Sequence, residues 1–207
     1  MYSAADLDLV SSLQNSSNLE QAISRAEGLW KLFHTKQPVP LDHLRPAISN
    51  SWQRCLESKV NPYRHTPPQL APDQIERRLR VHHQYLEVIQ PVIVSMEHLA
   101  DLSKFIIAFA DREGFILMIY GNQLLRQEVA SLNFRLGANW SERYAGTNAI
   151  GTALATGQPS QVFHAEHYCR GLHKYTCTAV PIQDPFSQEL IGILDFASQA
   201  EEHQPHI

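Results

Sequence analysis

The sequence predicts an α+β protein in which a central antiparallel sheet with flanking helices follows an α-helical N-terminal region. Three observations carry this. Up to about residue 103, apolar residues recur at spacings of three and four, the period of an amphipathic helix. From residue 105 the pattern changes to short β-branched and aromatic runs bounded by turn residues. These later segments fall in the order two strands, helix, helix, strand, loop, two strands, as in an α+β domain.

Residues 1–36 read as helix. Leu7, Val10 and Leu13 suit a short amphipathic turn, and Leu19, Ile23, Ala26, Trp30 and Phe33 form a longer stripe. KQPVP (36–40) interrupts with two prolines. A second helix is predicted over LRPAISNSWQRCLES (44–58), with Pro46 near its start, where a missing N–H costs little. Ile48, Trp52, Cys55 and Leu56 share one of its faces. NPYRHTPPQLAP (61–72) is a proline-rich linker without periodicity. Residues 1–72 therefore form one helical region with its linker.

A connecting helix is expected over 73–104, capped by Asp73. Its seam, Ile75, Leu79, His82, Leu86, Ile89, Ile93, Met96 and Ala100, repeats as a heptad. Pro91 lies inside it and should kink or split it. Such a seam either packs on its own domain or belongs to a dimerising, signal-carrying helix. Residues 105–200 form the sheet domain. FIIAFAD (105–111) and FILMIYG (115–121) make a hairpin around Asp111–Gly114. NQLLRQEVASL (122–132) and GTNAIGTALATG (146–157) are helices, the latter closed by Gly157. SQVF (160–163) is a strand and AEHYCRGLHK (165–174) a helix or ordered loop. YTCTAVPIQD (175–184) and ELIGILDFAS (189–198) form a second hairpin.

The composition excludes several classes of function. The chain has 207 residues, 43% of them hydrophobic, and a net charge of −4. That balance does not suit a chain whose main partner is nucleic acid. No run of 18 apolar residues exists, so no membrane helix is predicted. The start MYSAADLDLVSS lacks the basic and apolar segments of a secretion signal. Three cysteines, Cys55, Cys169 and Cys177, form no CxxC pair, and a reduced, cytoplasmic setting fits them. GxxxxGK[ST], GxSxG, HExxH and GxGxxG do not occur, and no helix-turn-helix is convincing.

WSERYAGTNAIGTAL (140–154) concentrates the candidate binding residues. Thr147 or Asn148 suits an N-cap, and a helix N-terminus also attracts a ligand oxygen or anion. Trp140 would wall a pocket or anchor its loop, and Glu142 would accept a ligand hydroxyl or sit in a salt bridge. Glu166, His167, Cys169, His173 and Cys177 follow in the next segment. Their spacing does not match a structural zinc site. A mononuclear metal on His167, His173 and Cys177 remains an alternative, as does a Cys169–Cys177 redox pair with His173 as base.

Several of these residues carry a family resemblance. Ile48–Cys55 resembles an "I-x-x-S-W-x-R-C" entry segment. WSERYAGTNAIGTAL, Glu166–His167, Cys177–Ile182 and Gly192–Asp195 resemble GAF-domain signatures in the same order. Together they resemble the N-terminal sensory region of bacterial sigma-54-dependent activators of the acetoin catabolism regulator type, over about 45–198. The chain departs from that pattern at Phe186-Ser187-Gln188, and at Lys174-Tyr175-Thr176, where the family often carries a Trp. The resemblance implies a GAF fold with a ligand chamber beside the sheet and a sensory role in transcription regulation. Contacts with DNA and sigma-54 polymerase would run through domains outside this sequence.

The function expected is allosteric sensing of a small organic effector, a short alcohol, diol or ketone, by a homodimer. Tyr120, Trp140, Glu142, Asn148, His167, His173 and Cys177 would line the site. The alternatives are a cysteine-dependent redox enzyme or a metal- or redox-sensing domain on the same fold. The sensor requires no catalytic residue, resident metal or cofactor.

Overall fold

Five strands form one antiparallel sheet in the order β2-β1-β5-β4-β3, with β1 at Phe105–Asp111, β2 at Ile116–Gly121, β3 at Ser160–Phe163, β4 at Tyr175–Gln183 and β5 at Leu190–Gln199. This is a computed structural model, and it describes residues 19–39, 43–64 and 67–200. The stripe at Leu7, Val10 and Leu13 lies outside the described residues. The helices are α1 (Leu19–His34), α2 (Pro46–Glu57), α3 (Pro72–Val81), α4 (His83–Leu102), α5 (Gln123–Ala130), α6 (Glu142–Ala145) and α7 (Ala149–Thr156). Two short 3-10 turns, His164–Glu166 and Arg170–Leu172, punctuate the loop between β3 and β4. The result is the α+β arrangement that the sequence predicts.

Strand alternation divides the sheet into two faces. Ile107 and Phe109 of β1 stand opposite Phe196 and Leu194 of β5 and pack against α4 through Leu86, Ile93 and Ala100. Ile106, Ala108 and Ala110 point the other way and join Ile193 and Ala197 of β5 and Ala179 of β4 in the main core. The same core contains Leu29 and Trp30 of α1 and Ile48, Trp52 and Cys55 of α2. The N-terminal helices thus share the hydrophobic core of the sheet. At Gly192 an added Cβ would lie 2.3 Å from the carbonyl of Ala110, so the close approach of β5 to β1 there requires glycine.

The expected long helix divides at His82 and not at Pro91. Pro91 sits on an exposed face inside α4, where water can satisfy the carbonyl it frees. The break falls where Arg78 and His82 both reach the buried Asp111 carboxylate, at 2.6 and 3.7 Å. Nor does Asp73 cap α3. Pro72 occupies the first turn, the backbone N–H of Ala71 donates to the side chain of Gln74 at 2.9 Å, and Asp73 pairs with Arg77. The predicted seam packs inward, with Leu86, Ile93 and Ala100 buried on the sheet. The proline-rich linker is an ordered strap where described. Its carbonyls at Pro62, Pro67 and Pro68 accept from Arg170, Asn133 and Asn139.

Candidate functional site

A chamber opens on the main-core face of the sheet, between β1, β5 and β4 below and α5, α7 and the β3–β4 loop above. Its walls are mainly aliphatic and aromatic: Ile106, Leu125, Val129, Leu132, Phe134, Trp140, Ile150 and Leu172. The polar minority comprises Asn148, His167, Tyr175, Cys177 and Asp195. The cavity volume is about 20 Å3, room for one or two waters. An organic molecule of several heavy atoms enters only if the walls move apart.

Local sequence explains how α7 forms the rim. The side-chain oxygen of Asn148 accepts from Gly151 N at 2.9 Å, and its amide donates to the carbonyls of Trp140 and Gly146 at 2.9 and 2.8 Å. Asn148 is therefore both N-cap and brace, joining α7 to the preceding loop. At Gly151 an added Cβ would meet Glu142 N at 2.7 Å and Trp140 O at 2.9 Å. The second glycine of GTNAIG is there for close packing. Trp140 donates its indole N–H to Asn133 O at 3.2 Å and meets Phe134 edge-on at a centroid distance of 4.6 Å. His167 is held by its Nδ1, 2.9 Å from the carbonyl of His164.

Trp140, Asn148, His167 and Cys177 come together at the chamber; Tyr120, Glu142 and His173 do not line it. Tyr120 pairs with Ile107 and packs on the α4 side, where its hydroxyl accepts from Gln90 at 3.0 Å. His173 lies behind His167, edge-on to Trp30 at 5.0 Å, and burial pushes its pKa down to about 4. Glu142 is only 7% exposed and faces α2. Its carboxylate accepts two bonds from Arg54 at 2.6 and 2.8 Å, one from Ser51 at 2.6 Å and one from Thr152 at 3.0 Å. Ser51 also contacts Thr147 at 2.7 Å.

This cluster joins Ser51 and Arg54 of the SWQRC segment to the WSERYAGTN segment that rims the chamber. A second clamp joins the β3–β4 loop to the N-terminal helices. Arg45 forks onto the Glu166 carboxylate, whose Oε2 also accepts from Phe163 N at 2.8 Å. The indoles of Trp52 and Trp30 donate to the carbonyls of Glu166 and Tyr168 at 2.7 and 2.9 Å.

Asp195 escaped the sequence reading as a binding residue, although it ends the Gly192–Asp195 match. It is 1% exposed at the centre of the sheet, flanked across β1 and β4 by Ala108 and Ala179. Its Oδ1 has no hydrogen-bond partner among the described residues, and desolvation pushes its pKa up to about 8. The signal was the alternation Ile193-Asp195-Ala197, which puts a carboxyl on an otherwise apolar face.

Burial likewise raises the thiol of Cys169 to about 12 and that of Cys177 well above its ordinary value. Neither is the thiolate a nucleophile requires. Among the described residues, no three His, Cys, Asp or Glu side chains converge as metal ligands. No described helix is long and apolar enough to cross a membrane.

Comparison with known proteins agrees with this architecture. The family model described as "MimR, N-terminal domain" matches residues 26–207. The chain belongs to the MimR N-terminal domain family. The acetoin dehydrogenase operon transcriptional activator AcoR of Bacillus subtilis (strain 168) is 33% identical over 186 residues, covering 86% of this chain and 29% of AcoR. The propane 2-monooxygenase operon transcriptional activator MimR of Mycolicibacterium goodii is 30% identical, covering 79% of this chain and 27% of MimR. The chain thus spans less than a third of the length of these two relatives. The crystal structure of the E. coli DhaR(N)–DhaL complex contains a chain that superposes with a TM-score of 0.73 at 22% identity. The match covers 77% of this chain and 54% of that one, a likeness of fold. Family and fold therefore agree with the resemblance drawn from the motifs.

Proposed function

We propose that the chain is the signal-receiving region of a bacterial sigma-54-dependent transcriptional activator that works in the cytoplasm and binds a small organic effector in the chamber. The observation that carries this is the chamber itself, an apolar hollow with a few polar groups beneath the motif segment of the family. Trp140 supplies an apolar wall, and Asn148, His167 and Cys177 supply polar contacts. A short alcohol, diol or ketone suits such a lining. DNA and sigma-54 polymerase would be engaged by other parts of such an activator. The cysteine-enzyme reading is weaker, because the thiols are buried and protonated.

Because the chamber holds so little, effector binding selects a wider state. A ligand shifts an equilibrium only by its preference for one state over the other, and here the preference is steric. The elements that roof the chamber are α7, tied to α2 through Thr152, Glu142 and Ser51, and the β3–β4 loop, tied to α1 and α2 through the carbonyls of Tyr168 and Glu166. The output is a change in how the N-terminal helices sit.

The effector reading is tested by calorimetry on the 207-residue chain with acetoin, 2,3-butanediol, propan-2-ol and acetone. Binding of at least one, weakened tenfold or more by Trp140→Ala and His167→Ala, supports it. Undiminished binding in both variants removes the chamber from the proposal.

The reading includes a homodimer formed through the outer face of α4. Tyr85, Val88, Val92, Ser95, Leu99 and Leu102 repeat at 3-4-3-4-3, a heptad stripe beside the buried one, about 100° round the helix. Val88, Val92, Leu99 and Leu102 are each more than half exposed. A second copy of the same helix meets that periodicity with its own.

A further inference from the structure

We infer that the Asp195 carboxyl is the polar anchor of the chamber and selects uncharged effectors that carry a hydroxyl or carbonyl group. This rests on the chamber being the effector site. The structure gives Asp195 no structural task that would account for a carboxyl there. Its neighbours across the sheet, Ala108 and Ala179, offer only methyl groups. Its Oδ1 is buried without a partner among the described residues, yet the side chain lines the hollow. A buried acceptor without a partner costs stability, and a ligand group placed in the hollow would supply the partner.

The charge of that ligand follows from the same surroundings. Among the described residues no Lys or Arg lines the chamber, so an anion would meet a carboxyl and no counter-charge. An ammonium would have to ionise Asp195 and leave its remaining N–H groups against aliphatic walls. A protonated carboxyl has one donor and one acceptor, which matches a hydroxyl, a carbonyl or the two side by side. The titratable groups that share the chamber are Cys177 and Tyr175 of β4 and His167 of the β3–β4 loop. β1, α5 and α7 face it with Ile106, Leu125, Val129 and Ile150, and with the uncharged Asn148. Burial raises both Cys177 and Tyr175, so neither titrates before Asp195, whose own pKa of about 8 keeps it protonated at neutral pH.

The test is calorimetry on the 207-residue chain between pH 6 and pH 9. The neutral probes are acetoin and 2,3-butanediol, with lactate and 2-aminobutane as charged counterparts of similar size. The wild type should bind a neutral probe with an affinity that falls towards tenfold per pH unit above about pH 8. Asp195→Asn, which keeps a donor and an acceptor, should bind within about threefold of wild type with no such fall. Asp195→Leu should stay folded and lose binding by tenfold or more. Several results overturn the assignment: wild-type affinity in Asp195→Leu, a pH slope that survives in Asp195→Asn, or tighter binding of the amine or lactate than of the neutral probes. If the wild type binds no probe, the effector reading itself fails and the assignment falls with it.

Discussion

Removing Arg54 should cost more than removing the carboxylate it serves. The Arg54→Ala variant leaves the Glu142 side chain, 7% exposed, with the hydroxyls of Ser51 and Thr152 as its remaining side-chain partners among the described residues. Breaking a buried pair by deleting one partner costs roughly 3–5 kcal/mol. The Arg54 side chain is 36% exposed, and water partly replaces it in the variant, so about 2–3 kcal/mol is expected. In Glu142→Ala the three hydroxyls of Ser51, Thr147 and Thr152 can pair with one another, and Arg54 turns to solvent. That variant should cost about 1–2 kcal/mol, near the value of one or two hydrogen bonds. The double variant should resemble Glu142→Ala alone, a coupling of about 2–3 kcal/mol, the whole Arg54→Ala cost. Urea unfolding of the four proteins, with unchanged m-values, measures all of these. A coupling below about 0.5 kcal/mol, or an Arg54→Ala variant as stable as Glu142→Ala, would refute the clamp between α2 and the chamber rim.

Stability should be nearly flat between pH 4 and pH 6.5, where two buried groups act in opposite directions, and should fall between pH 6.5 and pH 8. His173 is held to a pKa of about 4 in the fold against 6.5 when unfolded, so its contribution is lost as pH falls from 6.5 towards 4. Asp195 is lifted to about 8 against 3.8, so its penalty grows between pH 4 and pH 8, by at most roughly 1.4 kcal/mol per pH unit. Asp195→Asn should therefore stabilise the fold more at pH 8 than at pH 5 in thermal unfolding; equal gains at both would contradict the burial argument. Gly192→Ala drives a Cβ to 2.3 Å from Ala110 O and should lower stability by about 3 kcal/mol, the upper range for overpacking. A melting temperature within 2 °C of wild type, about what a loss well under 1 kcal/mol produces, would show that the strands can part there. Val88→Glu with Val92→Lys should turn the dimer into monomer by light scattering without changing the fold. A wild type that is already monomeric at about 100 μM, far above micromolar-affinity association, would dismiss the α4 interface.

Most of the sheet was legible in the sequence because each strand is a short apolar run bounded by turn residues. FIIAFAD and SQVF coincide with β1 and β3. The break between α3 and α4 was not legible. Local propensity points to Pro91, whereas the break is fixed by the convergence of Arg78 and His82 on Asp111, some 30 residues away in sequence. The polar residues of the motif were easy to find but hard to assign. Glu142 and Asn148 sit six positions apart in one segment, yet one faces α2 and the other rims the chamber. Only the packing of the SWQRC helix decides between them. Asp195 was hidden for the opposite reason. Alternation along β5 was visible, but the row Ala108–Asp195–Ala179 that isolates its carboxyl is a cross-strand fact.

The position of the tryptophans gives the proposed route of the signal its most direct test. Trp140 lines the chamber, while Trp52 and Trp30 fasten α2 and α1 to the β3–β4 loop through Glu166 O and Tyr168 O. The chain has no other tryptophan, so its fluorescence reports the chamber and its clamps alone. If a bound effector widens the chamber, its roof must move, because β5 is fixed on both sides by its ladders to β1 and β4, and a shift of the β3–β4 loop would be felt at α1 and α2. A Trp140→Phe variant removes the wall signal and leaves the clamp signals. An effector that still changes the emission of that variant acts through the N-terminal helices. A change that disappears with Trp140, with binding retained, confines the response to the chamber. In that case the output has to cross the sheet to α4, where Gln90 donates to the Tyr120 hydroxyl.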